Sequence, residues 1–144
     1  MSLEPKALES ISRREAVELL STAVVGRMVF TNAALPAVVP VTFAVHDEAV
    51  VLRTAAYTRL AAAADGGVVA LEADDVDRVS RTGWSVVVTG VAEVVDDVRQ
   101  QAIIRSVVEP FAPGHHEVYV RLPLTVVTGR RVIPVAASVS HPAT

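Results

Sequence analysis

The valine-rich character of the chain constrains its fold more than any other sequence feature. Val and Ala dominate the apolar residues, whereas Phe, Trp and Tyr together make up only 4% of the sequence. A Val side chain is stiff at χ1 and packs well on a pleated surface, so valine-rich stretches favour strands. We therefore predict six or seven strands, drawn from residues 24–31, 37–45, 49–54, 68–73, 85–95, 117–122 and 126–132.

The segments between these strands are short. Residues 46–48 predict a polar hairpin tip, which makes the strands on either side antiparallel neighbours. Gly90 lies inside the longest strand candidate and predicts a bulge or a bend there. After residue 73 we expect an irregular acidic connection that contains Asp74, Asp75 and Asp77.

Three short helices are predicted from capping residues and apolar spacing. Ser12 and Glu15 have the spacing of a capping box at the start of the first helix. Thr58 is placed to cap the second, where Leu60 is followed by four alanines with high helix propensity. Asp96 or Asp97 caps the third, which runs to about residue 108.

The predicted fold is a single, mostly β domain: a small barrel of largely antiparallel strands, with short helices. Its core spans about residues 12–134, and residues 1–11 and 135–144 are expected to be tails. Several strands are apolar at nearly every position, for example at 38–41 and 86–88. Both faces of such strands need cover. Because one chain has few helices to supply it, we predict a homodimer.

Composition excludes several classes of protein. The 144 residues include no Cys, which rules out disulfides, Cys-ligated metals and thiol nucleophiles. A net charge of −3 lacks the basic footprint of a nucleic-acid-binding protein. No apolar run approaches the roughly 20 residues of a membrane-spanning helix. We therefore expect a soluble, cytoplasmic protein with no nucleic-acid or membrane partner.

Familiar catalytic and metal-binding patterns are missing from the sequence. His115 and His116 are adjacent, so on a strand they would point to opposite faces and could not chelate one metal. The acidic residues at 74–77 lack the spacing of a calcium loop. Because no nucleophile elbow, Walker loop or dinucleotide fingerprint occurs either, no metal site and no catalytic residue is predicted.

One anion site is suggested by residue types alone. Arg53 and Thr54 end a valine-rich strand, and Thr58 and Arg59 begin the alanine-rich helix. A helix start with two guanidinium groups and two hydroxyls matches a phosphate dianion in charge and in donors. Arginines at a strand end and a helix start are also often simply solvated, so the pattern leaves both interpretations open.

Six segments, in this order along the chain, resemble the pyridoxamine 5'-phosphate oxidase-like flavoproteins. They are Val25-Gly26-Arg27-Met28, Val38-Val39-Pro40-Val41-Thr42-Phe43, Leu52-Arg53-Thr54, Thr58-Arg59-Leu60, Arg81-Thr82-Gly83-Trp84-Ser85-Val86 with Gly90, and Val127-Thr128-Gly129-Arg130-Arg131. The set covers most of the chain. The likeness is to the short, single-domain bacterial members, which have the FMN-binding split-barrel fold.

The resemblance implies a homodimer with two flavin sites at the subunit interface. Its implied FMN-binding residues are of three kinds. Arg53, Thr54, Thr58 and Arg59 would hold the phosphate, Val39, Pro40, Val41 and Thr42 would run along the isoalloxazine ring, and Trp84 and Ser85 would border the ring. A core or interface filler is the alternative role for Trp84. The resemblance assigns no role to Arg130 and Arg131.

The implied function is that of an FMN-dependent oxidoreductase acting on a small molecule. The chain ends its last motif as Arg131-Val132-Ile133-Pro134 without the nearby Trp of true pyridoxamine phosphate oxidases, which disfavours oxidation of vitamin B6 phosphates. One alternative is a reductase that uses the deazaflavin F420, whose anionic tail could contact Lys6, Arg13, Arg14 and Arg27. Another is a non-catalytic flavin- or haem-binding module, in which a His, Tyr or Met would ligate haem.

Overall fold

A computed structural model describes residues 5–115 and 117–135. His116, His141 and most of the predicted C-terminal tail lie outside the described residues. The chain order is β1 (Lys6–Ser10), α1 (Arg13–Leu20), β2 (Val25–Asn32), β3 (Leu35–Thr42), β4 (Ala44–Val45), β5 (Ala49–Thr54), α2 (Arg59–Ala63), β6 (Val68–Val76), β7 (Gly83–Val91), β8 (Glu93–Val94), α3 (Val98–Val107), β9 (Val118–Pro123) and β10 (Val126–Pro134).

The strands form two antiparallel sheets, which confirms the predicted mostly β class. The larger sheet has the order β1-β10-β7-β6-β2-β3, and the smaller has the order β4-β5-β9-β8. Two predicted strands are each divided between the sheets. The first is interrupted at Phe43 and the second at Ala92, and both of these residues are buried. The chain therefore passes from one sheet to the other at these two points.

The interruption near Gly90 differs from the prediction. Gly90 keeps its regular place opposite Val69, and the strand breaks two residues later at Ala92. There the Ala92 N–H donates to the Gly67 carbonyl at 2.9 Å, and the Gly66 N–H donates to the Ala92 carbonyl at 3.1 Å. The turn after α2 thus takes over the backbone bonds of Ala92, which the glycine pattern could not reveal.

Two further differences concern strand ends. Residues 6–10 were predicted to be part of a tail but form β1, which pairs along β10 from Lys6 opposite Pro134 to Ser10 opposite Arg130. Residues 74–76 were predicted to be irregular but continue β6 opposite β7. In both places backbone pairing with a neighbouring strand outweighs charged side chains such as Glu9, Asp74 and Asp75, which have little intrinsic preference for strands.

The three helices agree with their predicted caps. The Glu15 N–H donates to the Ser12 hydroxyl at 3.1 Å, and Asp97 accepts from the N–H groups of Arg99 and Gln100. Helix α1 packs on β10 so closely that a Cβ atom on Gly129 would lie 3.0 Å from the Ala16 Cβ. Among the described residues, no helix has the length and apolar character needed to cross a membrane.

The core lies between the two sheets, and the larger sheet keeps a second face exposed. Met28, Leu71, Val86 and Val88 point into the core and are fully buried. We name the other side of the larger sheet the outer face. On it, five residues that lie opposite one another on neighbouring strands form a row across β3, β2, β6, β7 and β10. The row consists of Val38, Val29, Ala70, Thr89 and Val126. Val38 is 60% exposed, so in a single chain this apolar face lacks cover.

Candidate functional site

A cleft of about 720 Å³ lies beside β3 and the junction between β5 and α2. Its volume is typical of small-molecule sites. The described lining consists of Phe30, Pro36, Ala37, Val38, Val39, Pro40, Val41, Arg53, Thr54, Ala55, Tyr57, Thr58, Arg59, Leu60, Phe111, Ala112 and Pro113. Seven of the ten predicted site residues are therefore brought together: three from β3 and the four proposed to bind phosphate.

Strand β3 supplies the apolar wall of the cleft. It is an edge strand of the larger sheet, paired with β2 along one side. The backbone groups along the other edge of such a strand are available to a ligand. Thr42, also predicted to contact the ring, is missing from the cleft lining, and its hydroxyl donates to the Glu109 carbonyl. The wall therefore runs from Pro36 to Val41.

The two threonines use their hydroxyl groups within the protein. The Thr58 hydroxyl donates to the Ala55 carbonyl at 2.9 Å and accepts from the Ala61 N–H at 3.0 Å, which caps α2. The Thr54 hydroxyl lies 3.0 Å from it. Since the Thr58 proton is already engaged, Thr54 is the donor in that pair. Both hydroxyl protons therefore shape the strand–helix junction, and the two arginines remain as the cleft's charged donors.

We name Arg53 and Arg59 the anion anchor. Arg53 is half-buried, and its Nη1 atom donates to the Val108 carbonyl at 3.3 Å. Its Nε atom is buried and has no hydrogen-bond partner among the described residues. A buried N–H without an acceptor is costly, so this atom marks a place that an anionic ligand can complete. Arg59 is exposed and lines the same cleft.

The charge around the anion anchor is unbalanced. Within residues 5–115 and 117–135, neither Arg53 nor Arg59 forms an ion pair with a carboxylate. Uncompensated guanidinium groups give this side of the cleft a positive potential. A phosphate matches such a site in charge and in hydrogen-bond donors.

Trp84 and Ser85 lie elsewhere in the single chain. They line a hollow of about 100 Å³ with Arg81 and Arg130. In the register of the larger sheet, Ser85 lies opposite Asp74 on one side and Arg130 on the other. Arg131, in contrast, forms an ion pair with Glu15 of α1. The structure thus gives Arg131 a stabilising contact and leaves Arg130 exposed beside Trp84.

The structure adds cleft residues that the sequence analysis did not identify. Tyr57 is 91% exposed and Phe111 is 53% exposed, and both line the cleft. Tyr57 stands between Thr54 and Thr58, so its proximity to the predicted anion site was a usable signal. Phe111 approaches from the segment after α3, and no sequence pattern links that segment to β5.

Three acidic residues away from the cleft, Glu72, Asp74 and Asp77, have structural contacts. Asp77 accepts hydrogen bonds from the N–H groups of Val79 and Ser80 in the β6–β7 turn. These two bonds lower the pKa of Asp77, and the bond from Ser80 has the larger effect. Glu72 and Asp74 both contact Arg27. The pKa of Glu72 is raised to about 7. Burial is the largest cause, and the hydrogen bond and charge of Asp74 add to it, whereas Arg27 acts in the opposite direction. In the described part of the chain, no His, Asp and Glu group could hold a metal ion.

Similarity to known proteins extends over most of the chain. The family model of pyridoxamine 5'-phosphate oxidase matches residues 12–131. The uncharacterized protein Rv0080 of Mycobacterium tuberculosis is 43% identical over 128 residues, covering 85% of this chain and 84% of that protein. The FAD binding protein from Mycobacterium smegmatis, whose structure is known, is 36% identical in sequence to this chain and superimposes with a TM-score of 0.72. The match covers 85% of this chain and 96% of that protein's chain.

A FAD-binding protein from Mesorhizobium loti is 21% identical with a TM-score of 0.75, and covers 90% of this chain and 99% of its own. At that identity the likeness bears on the fold alone. The predicted split-barrel fold is confirmed by these structural neighbours. Since the family model spans most of the sequence, the chain belongs to the pyridoxamine 5'-phosphate oxidase-like family.

Proposed function

We propose that the protein is a flavin-binding oxidoreductase that holds FMN in the cleft, with the phosphate on the anion anchor. The observation that carries the proposal is the buried, unpartnered Nε atom of Arg53 in a cleft where neither anchor arginine meets a described carboxylate. Membership of the family and the similarity to a FAD binding protein of Mycobacterium smegmatis support it.

Each part of the cleft has a distinct task in this proposal. Arg53 and Arg59 bind the phosphate, and the apolar wall of β3 supports one side of the isoalloxazine ring. Backbone groups on the free edge of β3 meet the polar edge of the ring. The bound flavin supplies the electron-transfer chemistry, while the protein binds and orients it. No side chain is proposed as an acid or base.

The functional unit in this proposal is a homodimer in which a second copy covers the outer face. The apolar row from Val38 to Val126 needs such cover, and interfaces between identical subunits are apolar. Trp84 and Ser85, which are remote from the cleft of their own chain, would then border the flavin held by the other copy. This arrangement gives each of the three kinds of predicted flavin contact a place, although Trp84 also packs against the hydrophobic core of its own chain.

FAD is a second candidate cofactor. The similar protein from Mycobacterium smegmatis is a FAD binding protein, and this chain has two exposed aromatic side chains, Tyr57 and Phe111, in the cleft lining. Either ring could stack on an adenine. The same anion anchor would then contact the pyrophosphate.

The F420 and haem alternatives have less support. The four residues suggested for an F420 tail are absent from the described cleft lining. The three arginines among them have other partners: Arg13 donates to the Leu124 carbonyl, Arg14 pairs with Glu18, and Arg27 pairs with Glu72. For haem, the described lining offers Tyr57 but neither His nor Met.

The test begins with mass spectrometry of the supernatant after the purified protein is denatured, which identifies any released flavin. Apoprotein is then titrated with FMN, FAD and riboflavin, and the complex is mixed with NAD(P)H or reduced F420 while flavin absorbance is followed. We expect FMN to bind more tightly than riboflavin and its absorbance to bleach. Equal affinity for FMN and riboflavin would contradict the phosphate site, and a flavin that resists reduction by every donor would contradict the oxidoreductase.

A further inference from the structure

Tyr119 lies directly opposite Arg53 in the ladder between β9 and β5. Its side chain is outside the cleft lining and only 6% exposed. Two guanidinium groups approach its ring: the Arg53 Cζ atom is 5.7 Å from the ring centroid, and the Arg105 Cζ atom is 5.5 Å from it. One aromatic ring therefore connects an anchor arginine with an arginine of α3.

Arg105 holds the tyrosine by its hydroxyl group. Its Nε and Nη2 atoms donate to the Tyr119 hydroxyl oxygen at 3.1 and 3.0 Å. Two donors of one planar guanidinium meet on this single oxygen, which holds the hydroxyl end of the ring more firmly than one bond would. Helix α3 is thereby tied to β9 at the residue that faces Arg53.

Arg53 has few contacts of its own. Besides the tyrosine ring, its described side-chain contact is the 3.3 Å bond from Nη1 to the carbonyl of Val108, the residue that caps the C-terminus of α3. A long bond and a cation–π contact together determine the direction of the side chain. Because both contacts depend on α3 and β9, these two elements determine where the unpartnered Nε atom points.

We propose that Tyr119 and Arg105 are positioning residues for the anion anchor. Tyr119 holds the Arg53 guanidinium by its ring face, and Arg105 acts through Tyr119 by fixing that ring. Arg105 also adds a positive charge that is not neutralised by any described carboxylate. This inference rests on the proposed function, since it assigns the pair to the binding of the flavin phosphate.

The test compares the affinities of apoprotein for FMN and for riboflavin, which differ only by the phosphate. The ratio of the two dissociation constants isolates the anchor from the ring platform. We expect Tyr119→Leu to weaken FMN binding roughly tenfold, the size of one desolvated cation–π contact, while riboflavin binding stays within about twofold. Arg105→Gln and Tyr119→Phe both keep the ring but lose the Arg105 bonds to the hydroxyl, so a smaller loss of about threefold is expected from each.

Arg99→Gln is the matched control, because Arg99 is an exposed arginine of the same helix and is absent from the cleft lining. If the wild-type protein binds FMN no better than riboflavin, the proposed phosphate site itself is wrong. If the wild-type protein prefers FMN but Arg105→Gln and Tyr119→Phe leave that preference unchanged, the positioning role is overturned. A parallel loss of both affinities would also overturn it, because it would show a general structural role.

Discussion

Arg27 and the anion anchor, Arg53 and Arg59, have opposite surroundings. Arg27, on the outer face, contacts both Glu72 and Asp74. Arg53 and Arg59, in the cleft, meet no described carboxylate, and the Arg53 Nε atom has no hydrogen-bond partner among the described residues. A neutralised arginine such as Arg27 ties neighbouring strands together, whereas an arginine without a counter-charge is available for an anionic ligand.

The largest expected effect comes from removing the anion anchor. The double variant Arg53→Ala, Arg59→Ala should weaken FMN binding by roughly a hundredfold or more, since each charge-assisted bond contributes about 1.5–3 kcal/mol. Riboflavin binding should change little. Fluorescence titration of apoprotein measures both affinities.

The control for this variant is Arg14→Ala with Arg99→Ala. It changes the net charge by the same amount at exposed helix positions outside the described cleft lining. If it lowered FMN affinity as much as the anchor variant does, general electrostatic attraction would explain the binding, and the contrast between Arg27 and the anion anchor would fail.

The outer face provides the next largest effect. Val29→Asp places a carboxylate in the middle of the apolar row, between Val38 and Ala70. Burying an unpaired charge in the proposed dimer interface is costly, so we expect the dimer to weaken by roughly a hundredfold. Sedimentation velocity across a concentration series measures this shift. Val98→Asp changes an exposed residue of α3 and should leave the dimer intact. A wild-type protein that sediments as a monomer would refute the proposed interface.

The smallest expected effect concerns the protonation of Glu72. Its pKa is raised from 4.5 to about 7, so the native state keeps the proton over a pH range in which the unfolded chain loses it. The stability contribution of this group is therefore fully present below about pH 4.5 and is lost as the pH rises to about 7. The amide in Glu72→Gln does not titrate, so this variant does not lose stability as the pH rises. We therefore expect its melting temperature to exceed that of the wild type by more at pH 8 than at pH 5.

Thermal unfolding of both proteins at the two pH values, in one buffer system at constant ionic strength, checks this prediction. A melting-temperature difference that is independent of pH, or that favours the wild type at pH 8, would show that Arg27 outweighs the effects of burial and of Asp74. The outer face would then be held by an ordinary ion pair.

The local features of the fold could be predicted from the sequence. The helix caps at Ser12 and Thr58 depend on nearby residues, and valine-rich runs report a pleated environment directly. Features that depend on distant partners could not be predicted. Strand β1 exists because β10 has an edge to pair with, and the strand break falls at Ala92 because the turn after α2 supplies its hydrogen bonds.

The same distinction applies to the site. Spacing along the chain brought Arg53, Thr54, Thr58 and Arg59 into one candidate site, and all four line the cleft. The spacing of residues could not reveal that the hydroxyl groups of Thr54 and Thr58 bond within the β5–α2 junction. Nor could it reveal that Tyr119 of β9 lies opposite Arg53 of β5. The separation of Trp84 and Ser85 from the cleft is likewise a property of the tertiary fold, because their proposed contact with flavin requires a second chain.

The most direct test of the central claim is a crystal structure of the protein saturated with FMN. The account predicts that the phosphate lies within hydrogen-bond distance of the Arg53 Nε atom and of the Arg59 guanidinium, with the isoalloxazine ring against β3. A phosphate bound away from both arginines, or a flavin bound outside the cleft, would contradict it.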